Sequence, residues 1–318
     1  MSTSASLTAS SATSAASSVE AAPAPADAAS SPAPGTHLVT ITSGDVPMPD
    51  VPAAALPATA PQRIVSLATG VGETLAALGI ADRVVGRDET SGVPQIESAE
   101  VVTKAHAASA EKVLSLRPDL VIVDAATAPK EAVAQIEDAG VRVVEVPEAW
   151  ALADLGPRVR AVAEAVGVPS TVADDVIAEA GGSTPYVAPS PGAARVAFLY
   201  VRGTSAIYLV GGEGSGADTL VNAAGAIDAG AAAGYDAFTP ITAEAVATLD
   251  PDVILVMTKG LESVGGVDGL VALPGVAQTR AGREKRVVAV DDTLLLSFGP
   301  RTGRLVEALR SALAASLA

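Results

Sequence analysis

At 318 residues the chain is long enough for one large domain or two modest ones, each with a buried core. With 20 Lys and Arg against 36 Asp and Glu, its formal charge of −16 argues against binding nucleic-acid phosphate or anionic lipid. The lack of cysteine removes thiolate catalysis, disulfides, Cys-based zinc sites and iron–sulfur clusters, and leaves His37 and His106 as the only imidazoles.

Residues 1 to 60 are expected to be a low-complexity tether, Ser/Ala/Pro/Thr-rich to about residue 35, followed by a Pro-rich lead-in. The segment has no charged-then-apolar leader pattern, and no apolar run in the chain reaches the roughly 20 residues that span a bilayer. Residues 61–150 alternate short apolar runs with helical patterns. Strands are predicted over RIVSL (63–67), RVVG (83–86), LVIVD (120–124) and VRVVEV (141–146), with helices over ETLAALG, AEKVLSLRP and KEAVAQIEDAG between them. Residues 151–182 read as a long helical stretch interrupted at Gly167 to Pro169, which bridges two halves. Residues 193–318 return to α/β alternation, with strands in RVAFLYV, AIYLV, DVILVM and RVVAVD and a terminal helix over 301–317. The predicted class is α/β: two Rossmann-like lobes with mainly parallel sheets, a long bridging helix and a ligand cleft between the lobes.

An internal repeat supports two similar lobes. GETLAALGI (Gly72 to Ile80) resembles ADTLVNAAGAI (Ala217 to Ile227), and AEKVLSLRPDLVIV (Ala110 to Val123) matches AEAVATLDPDVILV (Ala243 to Val256) without a gap. In each copy Ala-Glu opens a short helix, Pro118 or Pro251 ends it, and Asp leads into an apolar strand. A pair of catalytic dinucleotide-binding domains is the other reading, but GGEGSG (Gly211 to Gly216) fails the GxGxxG template.

Paired lobes with these repeats, over residues 60 to 318, resemble the helical-backbone class of ABC-importer binding proteins, which take up haem, cobalamin and ferric siderophores. In open α/β sheets ligands sit beyond the carboxyl ends of the strands, which puts the cargo between the lobes. The stretch from Met257 to Gly303 resembles the C-terminal lobe of actinobacterial haemin-importer binding proteins.

On the residues alone, His106 in KAHAASAEKV reads as a loop histidine or as a ligand, and Tyr235 in AGYDAFTPITAEAV reads as a packed ring or as a ligand. Each precedes one copy of the repeated helix. The resemblance implies that His106 and Tyr235 are the two axial ligands of a haem carried as Fe(III), phenolate and imidazole being suited to ferric iron. Lys104, Arg202 and Lys259 are candidates for pairing with the propionates, and Tyr208 reads as a further pocket aromatic or, by preference, as a core residue. Glu73 and Asp218 occupy equivalent helix starts, which favour acids through the dipole; the resemblance makes them contacts for the importer's permease.

The implied function is capture of haemin and delivery to an ABC permease and its ATPase, without catalysis, by a monomer that binds no nucleic acid. The implied location is the extracellular face of the cytoplasmic membrane through a lipid anchor, although this sequence holds neither leader nor acceptor cysteine. A ferric siderophore or cobalamin is the alternative cargo. An α/β metal-dependent enzyme is the rival from another class, and it wants clusters of ligating side chains that this sequence lacks.

Overall fold

A computed structural model describes residues 35–51, 56–104, 107–181, 189–190, 192–203 and 207–318. Its strands, in chain order, are β1 (His37–Ile41), β2 (Ile64–Ser66), β3 (Val84–Arg87), β4 (Glu100–Val101), β5 (Thr103–Lys104), β6 (Ala107–Ala108), β7 (Leu120–Val123), β8 (Arg142–Glu145), β9 (Arg195–Arg202), β10 (Ile207–Val210), β11 (Ile227–Asp228), β12 (Thr239–Pro240), β13 (Val253–Met257) and β14 (Arg286–Val290). The N-terminal lobe is built on an all-parallel sheet in the order β4-β3-β2-β7-β8. The C-terminal lobe has a second sheet in the order β1-β14-β13-β9-β10-β12, with β11 on β9. In that sheet β10 runs antiparallel to both β9 and β12, and the remaining pairs are parallel. The α/β class with mainly parallel sheets is therefore as expected.

Two segments differ from expectation. Strand β1 lies inside the stretch expected to be tether and lead-in, yet HLVTI pairs with β14 from His37↔Arg286 to Ile41↔Val290. Its alternation explains this: Val39 and Ile41 pack on one face of the sheet and Leu38 on the other. The bridging region is two helices, Leu155–Val166 and Ser170–Glu179, because Gly167 caps the first at φ +77° and Pro169 comes next but one. Val159, Val162, Val166 and Val176 bury their side chains in the core of the N-terminal lobe, so both helices form one of its layers.

The repeat has a common physical basis in the two lobes. The Ala110–Ser115 helix is capped by Ser109, which accepts from Lys112 N–H, and the Ala243–Leu249 helix by Thr242, which accepts from Ala245 N–H. Arg117 and Asp250, each next to a proline, end these turns at positive φ, 48° and 37°. The acid after the proline then clasps the start of the neighbouring strand. Asp119 accepts from the backbone of Gln62 and Arg63 at 2.7 and 3.0 Å and returns its own N–H to the Arg63 carbonyl. Asp252 does the same with Arg195, at 2.9 Å and 2.8 Å. This clasp sets the register Ile64↔Leu120 in one sheet and Val196↔Val253 in the other.

The lobes meet at the segment Leu296–Arg301, which precedes the C-terminal helix Thr302–Leu317. Gly70, which caps the helix Val71–Ala77, has no space for a side chain: a Cβ there would lie 2.0 Å from the Ser297 carbonyl oxygen. Gly216 is its counterpart at the helix Ala217–Ala223, where a Cβ would lie 2.7 Å from the Phe298 ring. Glu73 then reaches across to Arg301. Its carboxylate accepts from Arg301 Nε (2.9 Å), Nη2 (2.8 Å) and backbone N–H (2.9 Å), with both side chains under 5% exposed. Arg301 Nη1 also donates to Ser43 Oγ, just beyond β1.

Removing one member of a buried, hydrogen-bonded pair strands the other charge and costs roughly 3–5 kcal/mol. Glu73→Ala and Arg301→Ala are each expected to lower the unfolding free energy by about that amount, with the double variant losing less than their sum. Chemical denaturation checks this; losses of about 1 kcal/mol or less would show that the seam does not depend on the pair.

Candidate functional site

A cleft of about 780 Å³ lies between the two sheets, within the range of roughly 300–1,000 Å³ that ligand pockets occupy. Its walls are made by strand ends and by the turns just beyond them. Leu67 and Thr69 come after β2, Asp88 to Thr90 after β3, Asp124 and Thr127 after β7, and Glu148 to Trp150 after β8. The opposite wall has Tyr200 and Arg202 at the end of β9, Met257 at the end of β13, and Asp292 and Thr293 after β14. Leu296 and Ser297 of the interlobe segment complete it. The carboxyl ends of parallel strands are where such folds leave backbone and side chains free for ligands.

The N-terminal wall is polar and tightly bonded. Asp88 is buried, and its carboxylate accepts from the Thr90 and Ser91 hydroxyls and from Thr90 N–H at 2.9 Å. Burial raises its pKa against the lowering effect of these bonds. Arg158, on the first bridging helix, is 3% exposed; it donates to the Thr69 carbonyl and reaches Asp124 at 3.4 Å. Burial lowers the pKa of this guanidinium, and the charges of Asp124, Asp88 and Glu148 oppose that shift. Thr127 donates to Asp124 at 2.9 Å.

The C-terminal wall is aromatic and cationic. Arg202 Nε donates to the Tyr200 hydroxyl at 2.9 Å, with its guanidinium 5.5 Å from the ring centroid. The Tyr200 ring meets Phe238 edge-on at 5.9 Å, and Phe238 meets Phe198 at 6.3 Å, so core aromatics fix the phenol. Lys259 lines the same wall, and its backbone N–H is held by Asp292 at 2.9 Å. Among the described residues no group of three or more His, Asp or Glu is arranged to hold a metal ion.

The structure brings some of the predicted residues together and separates others. Arg202 and Lys259 both line the cleft. His106 lies outside the described residues, and Thr103, three positions before it, is on the cleft wall. Lys104 is exposed but is not among the lining residues. Tyr235 packs against the outer core layer of the C-terminal lobe, with its carbonyl accepting from Glu213 N–H at 2.8 Å, and does not line the cleft. Tyr208 is a buried core residue, as expected. Glu73 is a correction: enclosed by Arg301 and Gly299, it has no carboxylate to present to a partner. Sequence reasoning did not single out Tyr200, Arg158, Asp88 or Trp150 for the site. The available signal was position, since each succeeds or ends an apolar strand or opens the bridging helix.

The comparisons agree with this architecture. Residues 64–294 match the family model described as periplasmic binding protein. The chain belongs to that family. A solved structure, the periplasmic heme-binding protein RhuT from Roseiflexus sp. RS-1 in apo form, is 38% identical, with a TM-score of 0.73 over 80% of this chain and 99% of that one. Heme binding protein HmuT is 34% identical, with a TM-score of 0.72 over 88% and 96%. It has also been solved as variants in which a histidine, a tyrosine, and an arginine two positions after that tyrosine are each replaced. A curated relative, the uncharacterized ABC transporter substrate-binding lipoprotein YvrC of Bacillus subtilis, is 29% identical over 78% of this chain and 79% of its own length.

In this periplasmic binding protein Asp218 is half-buried, and its Oδ2 accepts from Gly214 N–H at 3.0 Å. Its Oδ1 and the Oδ2 of Asp228 are buried without hydrogen-bond partners among the described residues. Burial first, and the charge of Asp218 further down, push Asp228 up to about 7, against the backbone bond from Ala231 and the charge of Arg195. A raised carboxyl pKa means that the neutral form stabilises the fold. That contribution is complete below the ordinary value of 3.8 and is lost as pH rises through about 7. Stability is therefore expected to fall from about pH 4 to about pH 7 and to level off above that, and Asp228→Asn to flatten the fall. Thermal unfolding across that range checks it, and an unchanged slope in Asp228→Asn would refute it.

Proposed function

We propose that this protein captures haemin outside the cytoplasmic membrane and passes it to the permease of an ABC importer, and through it to the ATPase. The cargo is held as Fe(III) between His106 and Tyr200. The observation that carries this reading is the Tyr200–Arg202 pair on the cleft wall, with Arg202 bonded to the phenol oxygen at 2.9 Å. The same Tyr-x-Arg spacing marks the two residues replaced in the HmuT variants, whereas Tyr235 is followed by Asp236 and Ala237. Tyr200 thus takes the role first expected of Tyr235. The heme binding named for RhuT and HmuT, and the substrate-binding lipoprotein role named for YvrC, support the same cargo and setting.

The chemistry is suited to ferric iron. A phenolate is a hard anionic donor and imidazole an intermediate one. When Tyr200 ligates the iron, the guanidinium beside its oxygen balances the ligand's charge and fixes the direction of the remaining lone pair. Lys259 on the same wall is positioned to pair with a propionate. Of the two acids at equivalent helix starts, Glu73 is enclosed in the seam, which leaves the half-buried Asp218 as the permease-contact candidate.

The test is a visible-absorption titration with haemin. A saturable one-to-one Soret change is expected, with a tyrosinate charge-transfer band that Tyr200→Phe abolishes and Tyr235→Phe leaves intact. His106→Ala, Tyr200→Phe and Arg202→Ala are each expected to weaken binding by about 10–100-fold. Absence of a saturable change would overturn haemin in favour of another cargo, such as a ferric siderophore.

A further inference from the structure

Trp150 is the chain's single tryptophan, and at 40% it is the exposed large hydrophobic side chain among the described residues. It lies on the wall of the cleft, in the turn that leads from β8 to the bridging helices. A single apolar side chain on a surface is ordinary, but an indole held by hydrogen bonds on the wall of a ligand-sized cleft is placed to meet what the cleft binds. This one is rigid at three points. Its backbone N–H and that of Ala151 donate to the Asp154 carboxylate at 3.1 and 2.9 Å, and its indole Nε1 donates to Glu148 Oε2 at 3.0 Å.

The opposite edge of the ring is placed by a glycine. A Cβ on Gly216 would come within 3.6 Å of Trp150 Cε3 and 2.7 Å of the Phe298 ring, so the bare backbone leaves space for both aromatics. With Nε1 held on one edge and Cε3 against Gly216 on the other, what remains open to the cleft is drawn from the faces of the indole and the rest of its rim. Phe198 and Phe298 are fully buried in the core and unavailable to a ligand.

We infer that Trp150 is a stacking surface for a flat conjugated ring in the cleft, a cargo contact separate from the iron ligands. This rests on the haemin reading for the identity of the ring but on the geometry of Trp150 for the contact. Stacking on an aromatic side chain does not need a metal, so it should act on the metal-free macrocycle as well.

Haemin and metal-free protoporphyrin IX are the probes, titrated against wild type, Trp150→Ala, Trp150→Phe and Tyr200→Phe. Trp150→Ala is expected to weaken both ligands by about tenfold, in keeping with aromatic stacking contributions. Trp150→Phe should restore affinity to within about threefold, because a smaller ring still stacks. Tyr200→Phe should weaken haemin alone. If wild type binds both ligands and Trp150→Ala matches it within twofold, the stacking contact is refuted while haemin stands. If Trp150→Phe is as weak as Trp150→Ala, stacking is likewise refuted. If wild type binds protoporphyrin but shows no haemin-specific gain, the iron-ligand reading fails and the stacking contact survives; if it binds neither, both fall.

Discussion

The buried pair between Glu73 and Arg301 is the constraint on which the cleft depends. It joins residues 228 positions apart in sequence and lies directly behind the floor of the cleft, four residues on from Thr69 on one side and from Ser297 on the other. Because the Glu73 carboxylate accepts two guanidinium N–H groups and the backbone N–H of Arg301, with Ser43 taking a further guanidinium N–H, neither lobe can shift at this seam without stranding a charge. Gly70 and Gly216 make the same point sterically, since the interlobe segment occupies the space of both missing side chains. The distance between the walls is thus set by packing and charge at one place, and the ligand groups on each wall inherit it.

Much of the architecture was legible in the sequence because the repeat encodes a mechanical unit. The hydroxyl before Ala-Glu caps a helix, the residue before proline stops it, and the acid after proline holds the adjacent strand, so a gapless match of local chemistry implied a match of local structure. The alternation of HLVTI was also visible in principle, but a five-residue strand beside a Pro-rich stretch competes with the compositional signal of a tether. Only the long-range partner β14 decides between them. Likewise Gly167 to Pro169 marked a break in the bridging region, while the packing of both helices onto the N-terminal lobe depends on contacts that periodicity does not specify.

The site was less legible for a related reason. Tyr235 and Glu73 stood out by their place in the repeat, yet symmetry of sequence does not guarantee symmetry of exposure. In the N-terminal lobe Thr103, shortly before the repeated helix, is on the cleft wall; in the C-terminal lobe Tyr235, at a similar distance before its helix, is half-buried against a hydrophobic cluster and does not line the cleft. Tyr200 was hidden inside a strand-like run, RVAFLYVR, where an aromatic looks like core. What distinguishes it is that it lies two residues from the end of β9, where the strand reaches the cleft, and that Arg202 donates back to its hydroxyl.

The two walls then do different physical work. On the N-terminal side Asp88, Asp124 and Arg158 are buried at a desolvation cost that their hydroxyl and carbonyl partners offset, which makes that surface stiff, hydrophilic and poorly able to accept further negative charge. On the C-terminal side Arg202 and Lys259 are exposed and accompany Tyr200 and Met257. A ligand with an apolar disc and an anionic edge is thereby given a preferred direction, with carboxylates repelled by one wall and attracted to the other. Such orientation does not require the lobes to close, which is consistent with a seam that is already locked behind the floor.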